Sequence, residues 1–252
     1  MEIEILGTGT STGVPEIGCQ CKVCLSTDPR DKRLRTSAIV RVNGVNILID
    51  CGPDFRQQLL RSSDKHIDAV LLTHIHYDHV GGIDDLRPYC RKGEMGIFAQ
   101  QDVNDELHVK LPYCFKENLY PGVPLLSLHN IRVGEPFTIK GVEILPLRVM
   151  HAKLPILGYR IADFAYITDA KTLPEETLEQ LRGVKVLVIN ALRINEHMSH
   201  MSLSEALELI RIINPERAYL THIAHTMGLH SEVNALLPDN VELAYDGMVI
   251  SN

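Results

Sequence analysis

Nowhere in its 252 residues does this chain approach the roughly 18 uninterrupted apolar residues that a membrane-spanning helix needs, so no such span is expected. It also lacks a surplus of positive charge: 25 Lys and Arg stand against 32 Asp and Glu, a formal net charge of -7. An extended phosphate-tracking surface draws its affinity from Lys and Arg, so this balance disfavours an extended nucleic acid and favours a small substrate held by local positive charge. No Pro-, Gly- or Ser-rich linker divides the chain and no low-complexity tract interrupts it. One domain over residues 1–252 is therefore expected, large enough to bury a substantial core. The opening Met1-Glu2-Ile3-Glu4-Ile5 is acidic and alternating, unlike a signal peptide, and a cytoplasmic location is the expectation. In that reducing setting the cysteines are expected to be thiols or metal ligands rather than disulfides.

The sequence that is present reads as strands alternating with surface helices. Residues 37–50 form two apolar runs around Asn43-Gly44, the dipeptide that favours a tight hairpin. A helix is expected over 54–62, a buried strand over 68–72, and an irregular helical stretch from Ile83 to Cys90. Residues 91–136 carry no clear pattern. Strands follow near 142–149, 157–161, 164–168, 184–189 and 217–221, with a helix at 202–213 opened by a Ser202 and Glu205 capping box. One internal echo stands out: Leu71-Leu72-Thr73-His74 against Tyr219-Leu220-Thr221-His222. It predicts two related sheet halves, each ending a strand in a metal-binding loop, with the site where the sheets meet.

The densest chemistry lies at Thr73-His74-Ile75-His76-Tyr77-Asp78-His79, three imidazoles and a carboxylate directly after a buried strand. Imidazole and carboxylate are the usual ligands of catalytic zinc, and one such loop can serve two adjacent ions. Each ion needs further ligands, and His151, Asp169 and His222 each sit at the end of an apolar run. A carboxylate such as Asp169 can bridge two cations, and hydroxide held between them is a nucleophile at neutral pH. Isolated histidines such as His66, His108, His129 and His230 are read instead as hydrogen-bonded surface residues.

A second cluster, Cys19, Cys21 and Cys24, places three thiols within six positions, too close to bridge one another well. Three thiolates suit a closed structural zinc, and His225, three residues past His222, is the fourth ligand expected. Cys51, Cys90 and Cys114 read as small core residues.

The run from Thr73 to Gly82 resembles the signature of the metallo-β-lactamase-fold hydrolases, over nearly the whole chain. The resemblance implies a mixed α/β fold, a four-layer αββα sandwich. It implies His74, His76 and His151 on one zinc, Asp78, His79 and His222 on another, and Asp169 between them. Asp50 matches a motif residue that lies behind the ligands and orients them. Residues 13–24, Thr221 to His225 and Ala244 to Met248 are similar to the PhnP-type phosphodiesterases, which hydrolyse phosphoribosyl 1,2-cyclic phosphate and related cyclic nucleotides. The implied activity is phosphodiester hydrolysis by metal-held hydroxide, with two catalytic zinc ions (manganese or iron as alternatives) and one structural zinc. His200 and Asp78 are the candidate catalytic residues, with His200 the acid and His197 its fallback. A small phosphorylated substrate is the expected partner, with no membrane and a homodimer left open. The alternatives are a transfer-RNA 3′-processing endonuclease, whose Gly- and Lys-rich arm is missing here, and a non-catalytic metal-stabilised binding module.

Overall fold

The computed structural model describes residues 1–116 and 122–251. The first half contributes β1 (Glu2–Gly7), β2 (Ser37–Val42), β3 (Val45–Ile49), α1 (Phe55–Arg61), β4 (Ala69–Leu71), α2 (Tyr77–Val80), β5 (Met95–Ala99), α3 (Gln101–Lys110) and β6 (Leu126–Asn130). The second contributes β7 (Phe137–Ile139), β8 (Val142–His151), β9 (Leu154–Ile161), β10 (Phe164–Ile167), α4 (Glu175–Gln180), β11 (Val186–Asn190), α5 (Leu203–Ile213), β12 (Arg217–Thr221), α6 (His230–Asn234), β13 (Val241–Leu243) and β14 (Val249–Ser251).

Among the described residues these strands form two sheets of seven, ordered β14-β1-β2-β3-β4-β5-β6 and β13-β12-β11-β10-β9-β8-β7. Each sheet has the same grammar. Its antiparallel part leads into a parallel part, β3-β4-β5-β6 in one and β10-β11-β12-β13 in the other. The internal echo falls on matching places, the ends of β4 and β12.

The inner faces of the sheets share one core, in which Ile3, Ile47, Ile49, Tyr159, Phe164 and Tyr166 are fully buried. Two further cores lie outside, one under α1 and α3, the other under α4, α5 and α6. Burying apolar faces on both sides of both sheets yields the four layers expected.

Local signals acted where they were strong. Asn43 and Gly44 both take positive φ, 52° and 77°, and close the β2–β3 hairpin. Ser202 and Glu205 form the reciprocal capping box of α5, a motif worth about 1 kcal/mol. The unpatterned stretch conceals β5, which is inserted in parallel between β4 and β6. No helix among the described residues is long and apolar enough to cross a membrane.

Candidate metal centre

Parallel strands carry their loops at one edge, and here the C-terminal ends of β3, β4, β10 and β12 converge there. Three residues just past those strands hold left-handed backbone: Asp50 (φ 61°), Asp169 (φ 55°) and His222 (φ 54°). Such conformations cost about 1–3 kcal/mol each and persist where the surroundings enforce them. The enforcement is visible. Asp50 accepts hydrogen bonds from Thr73 N at 2.8 Å, Thr73 Oγ1 at 2.9 Å and His79 Nδ1 at 2.6 Å. Ile223, next to His222, donates to Thr8 O and accepts from Thr10 N, so an N-terminal loop grips this strand end on both backbone groups. The ligand loop packs as closely: a Cβ on Gly52 would lie 2.1 Å from Asp78 O, and one on Gly82 would lie 2.0 Å from Gly52 O.

All seven residues anticipated around the two catalytic ions come together. His74 Nδ1 donates to Thr73 Oγ1 at 3.0 Å, which leaves Nε2 facing His76 Nδ1 at 2.9 Å. His151 Nδ1 donates to the carbonyls of Asp169 and Ser199, each at 2.9 Å, so its Nε2 is the free face. Its ring centroid lies 5.8 Å from that of His74 and 5.3 Å from that of His76. On the other side His79 Nε2 lies 3.3 Å from both Asp78 Oδ2 and Asp169 Oδ1. His222 Nε2 lies 3.2 Å from Asp169 Oδ2 and 3.6 Å from Asp78 Oδ2. Asp169, at 2% exposure, thus faces both histidine groups.

A buried polar atom is normally satisfied. Here His79 Nε2 and His222 Nε2 are buried without a hydrogen bond, although carboxylate oxygens stand close by. Imidazole nitrogens and carboxylates aimed at shared points, with no hydrogen-bond geometry between them, fit cations, and the nitrogen-oxygen set suits zinc, manganese or iron. Three carboxylates crowd this cluster, and their negative charge is what a cation would neutralise. Burial, the largest influence on His79, opposes its protonation, yet Asp169, Asp50 and Asp78 outweigh it and raise its pKa well above the ordinary value. Burial likewise pushes Asp169 upward, and the charges of His222 and His79 overturn that, holding its pKa well below the usual carboxylate range.

His200 Nε2 lies 3.1 Å from Asp169 Oδ2, and its ring stacks on His222 with centroids 4.9 Å apart. Ser199 Oγ and His197 Nδ1 lie 3.1 and 3.2 Å from its Nδ1. Its pKa is pulled down to about 4, primarily by burial. His197 stands one ring further out, at 5.1 Å.

The cysteine cluster and His225 are brought together. Cys19, Cys21, Cys24 and His225 place four ligand atoms within 4.8 Å of one another. His225 Nδ1 is 3.4 Å from Cys19 Sγ and 3.3 Å from Cys21 Sγ, while its Nε2 lies 3.4 Å from Glu16 Oε2. The Cys24 backbone N–H, followed by His225, lowers the Cys21 thiol to about 6, while burial raises that of Cys24 to about 11, so Cys21 is the thiolate of the pair. Cys51, Cys90 and Cys114 are buried.

One expectation is corrected, and two residues are added to the surroundings of the site. His230 is not a surface residue: it is 3% exposed, its Nδ1 3.2 Å from the buried Arg33 guanidinium. The Asp246 carboxylate accepts from Thr8 N, Thr8 Oγ1 and Leu34 N. It therefore anchors the loop that grips Ile223. Thr73 joins the site by donating to Asp50, and the paired Thr-His echo is its signal in the sequence.

Residues 45–223 match the family model described as beta-lactamase superfamily domain. The chain is 46% identical over 250 residues to a Porphyromonas gingivalis protein named octanoyltransferase, covering 98% of this chain and 51% of that protein. It spans about half the length, or less, of the curated relatives it matches. A crystal structure of a new diphosphatase from the PhnP family superposes with a TM-score of 0.91 at 36% identity, covering 99% of this chain and 97% of that one. Zinc-bound PqqB from Methylobacterium extorquens shares the fold, with a TM-score of 0.83 at 20% identity over the whole of both chains. This chain therefore belongs to the beta-lactamase superfamily and, within it, is similar over nearly its whole length to the PhnP family.

Proposed function

We propose that this protein is a metal-dependent phosphodiesterase that hydrolyses a small cyclic phosphodiester of the phosphoribosyl cyclic phosphate or cyclic nucleotide type. The observation that carries the reading is the pair of buried, unbonded nitrogens, His79 Nε2 and His222 Nε2, aimed with Asp78 and Asp169 at common points. In this reading His74, His76 and His151 would hold one ion and Asp78, His79 and His222 a second, with Asp169 able to serve either. Cys19, Cys21, Cys24 and His225 would hold a structural zinc. Bound divalent cations supply Lewis acidity, neutralising phosphoryl oxygens and lowering the pKa of water at the site.

The chain's own residues do the rest. Asp50 fixes the tautomer of His79 by accepting its Nδ1 proton, which leaves Nε2 as a lone-pair donor. His200 Nε2 stands beside Asp169, positioned to pass a proton to the departing alkoxide. Burial favours the neutral ring, so an anionic substrate is needed to raise the pKa of His200 and hold the proton until it is used. The likeness to a PhnP-family diphosphatase along nearly the whole chain supports a substrate with phosphate chemistry.

A transfer-RNA 3′-processing activity is the second reading, and the formal charge of -7 weighs against it because a folded RNA demands a basic surface. The octanoyltransferase name belongs to a protein of which this chain matches about half, and a histidine-carboxylate cluster supports hydrolysis rather than acyl transfer. A turnover screen over phosphoribosyl 1,2-cyclic phosphate, 2′,3′-cyclic nucleotides, linear phosphodiesters and precursor transfer RNA, each with a chelator control, tests the proposal. Chelator-sensitive hydrolysis of the cyclic substrates is expected. Cleavage of precursor RNA alone would transfer the assignment to the second reading.

A further inference from the structure

Thr8, wholly buried in the loop after β1, has every polar group engaged. Its N–H and Oγ1 donate to Asp246 Oδ1 at 2.9 and 2.8 Å, its Oγ1 accepts from Arg33 Nη1 at 2.8 Å, and its carbonyl accepts from Ile223 N at 2.8 Å. The hydroxyl thus bridges a buried anion and a buried cation, Arg33 being 3% exposed. Arg61 also approaches Asp246, at 3.5 Å from the exposed side. The Arg33 guanidinium is directed by uncharged acceptors: besides Thr8 Oγ1 it donates to Ala244 O at 2.6 Å and His230 Nδ1 at 3.2 Å.

These contacts converge on one short segment. Thr8 bonds Ile223, one residue after His222, and Ala244 N donates to Leu220 O at 2.9 Å, two residues before it. Arg33 bonds both holders, Thr8 and Ala244, and so grips at one remove each flank of the strand end on which His222 takes its left-handed backbone. A conformation of that kind persists only where the surroundings enforce it. Burial lowers the pKa of Arg33 to about 10 although Asp246 and Asp31 oppose the shift, so the cation is held against its own desolvation. Replacing a buried ionic group by an apolar one of similar volume is often neutral or stabilising, and stability alone is a weak reason for a guanidinium here.

We infer that Arg33 is a positioning residue for His222, acting through Thr8 and Ala244 to fix the direction of His222 Nε2 and with it the ion that His222, His79 and Asp78 would hold. The inference rests on the two-ion reading and adds to it a residue outside the ligand set. A planar guanidinium suits the task because its fork serves three acceptors at once, whereas an ammonium is a point charge on a flexible stem. His74, His76 and His151 are delivered by other elements, the ends of β4 and β8, so the network bears on one ion and not on the other.

The test titrates the metal-stripped full chain with zinc against a competing chelator, with urea melts of the metal-free protein alongside. Arg33→Lys keeps the charge without the fork, Thr8→Val removes only the bridging hydroxyl, and Thr8→Ser keeps it. Arg33→Lys and Thr8→Val are each expected to weaken one zinc equivalent by about tenfold or more while the others bind as in the wild type, and Thr8→Ser to restore wild-type binding. Thr8→Val decides the matter if Arg33→Lys does not fold. Wild-type affinity at every equivalent in a Thr8→Val protein with a lowered urea midpoint, or equal weakening of all equivalents, overturns the inference and makes the network an element of the fold alone. Zinc uptake by the wild type at the thiolates only overturns the two-ion reading itself, and the inference falls with it.

Discussion

Asp50 Oδ2 lies 2.6 Å from His79 Nδ1, and both side chains are wholly buried. Burial raises the pKa of Asp50 even though the His79 charge and the Thr73 donors oppose it. The pair makes His79 present Nε2 to Asp78 and Asp169. Asp50→Asn keeps the shape and removes the charge. We expect metal affinity to fall about 10–100-fold with the fold retained, as for other groups that orient a ligand from behind. A competitive zinc titration with circular dichroism on the same samples checks both parts.

His200 stacks on His222 but has its own role in this account. His200→Ala is expected to keep wild-type metal content while turnover of cyclic phosphodiesters falls about 10²–10⁴-fold, the usual contribution of a positioned acid. Metal analysis beside kcat separates the roles: joint loss of metal and turnover would make His200 a ligand, and unchanged turnover would remove it as the acid.

A structural zinc at the cysteine cluster would act on stability. Cys21→Ser is expected to lose one equivalent of zinc and lower Tm by at least about 5 °C, because a metal bound only by the folded state stabilises it. His225 lies three residues from His222, so the affinity of the catalytic centre should weaken as well. Calorimetry with metal counting measures this, and an unchanged zinc count would show that the thiols hold no ion.

His230 gives a pH prediction away from the centre. Burial first, then Arg33, lowers its pKa from 6.5 to about 4 in the folded protein. The unfolded chain therefore binds more protons between those values, and the contribution of His230 is present above pH 6.5 and lost as pH falls toward 4. His230→Gln, which keeps an acceptor for Arg33, should flatten the loss of stability over that window in urea melts of the metal-free chain. An identical slope in both proteins would exclude His230 as a source of it.

Much of the site was legible because its ligands are contiguous or follow apolar runs. His74 to His79 needed no knowledge of the fold, and the Thr-His echo placed His222. The β2–β3 hairpin and α5 were equally plain, since Asn43-Gly44 and Ser202 with Glu205 act within a few residues. What escaped depends on distant partners. Asp246 bonds to Thr8, 238 positions away, and His230 owes its burial to Arg33. Strand β5 is only five residues, and α3 turns just Val103, Asn104 and Leu107 inward, so neither shows a strong period.

A zinc titration of metal-stripped protein, followed by turnover of a cyclic phosphodiester at each equivalent, tests the two-ion centre. The thiolate site is expected to fill first without activity, and turnover to rise as the next two equivalents enter the histidine-carboxylate centre. Full turnover in the stripped protein, or a maximum reached with the first equivalent, would contradict a two-ion catalytic centre.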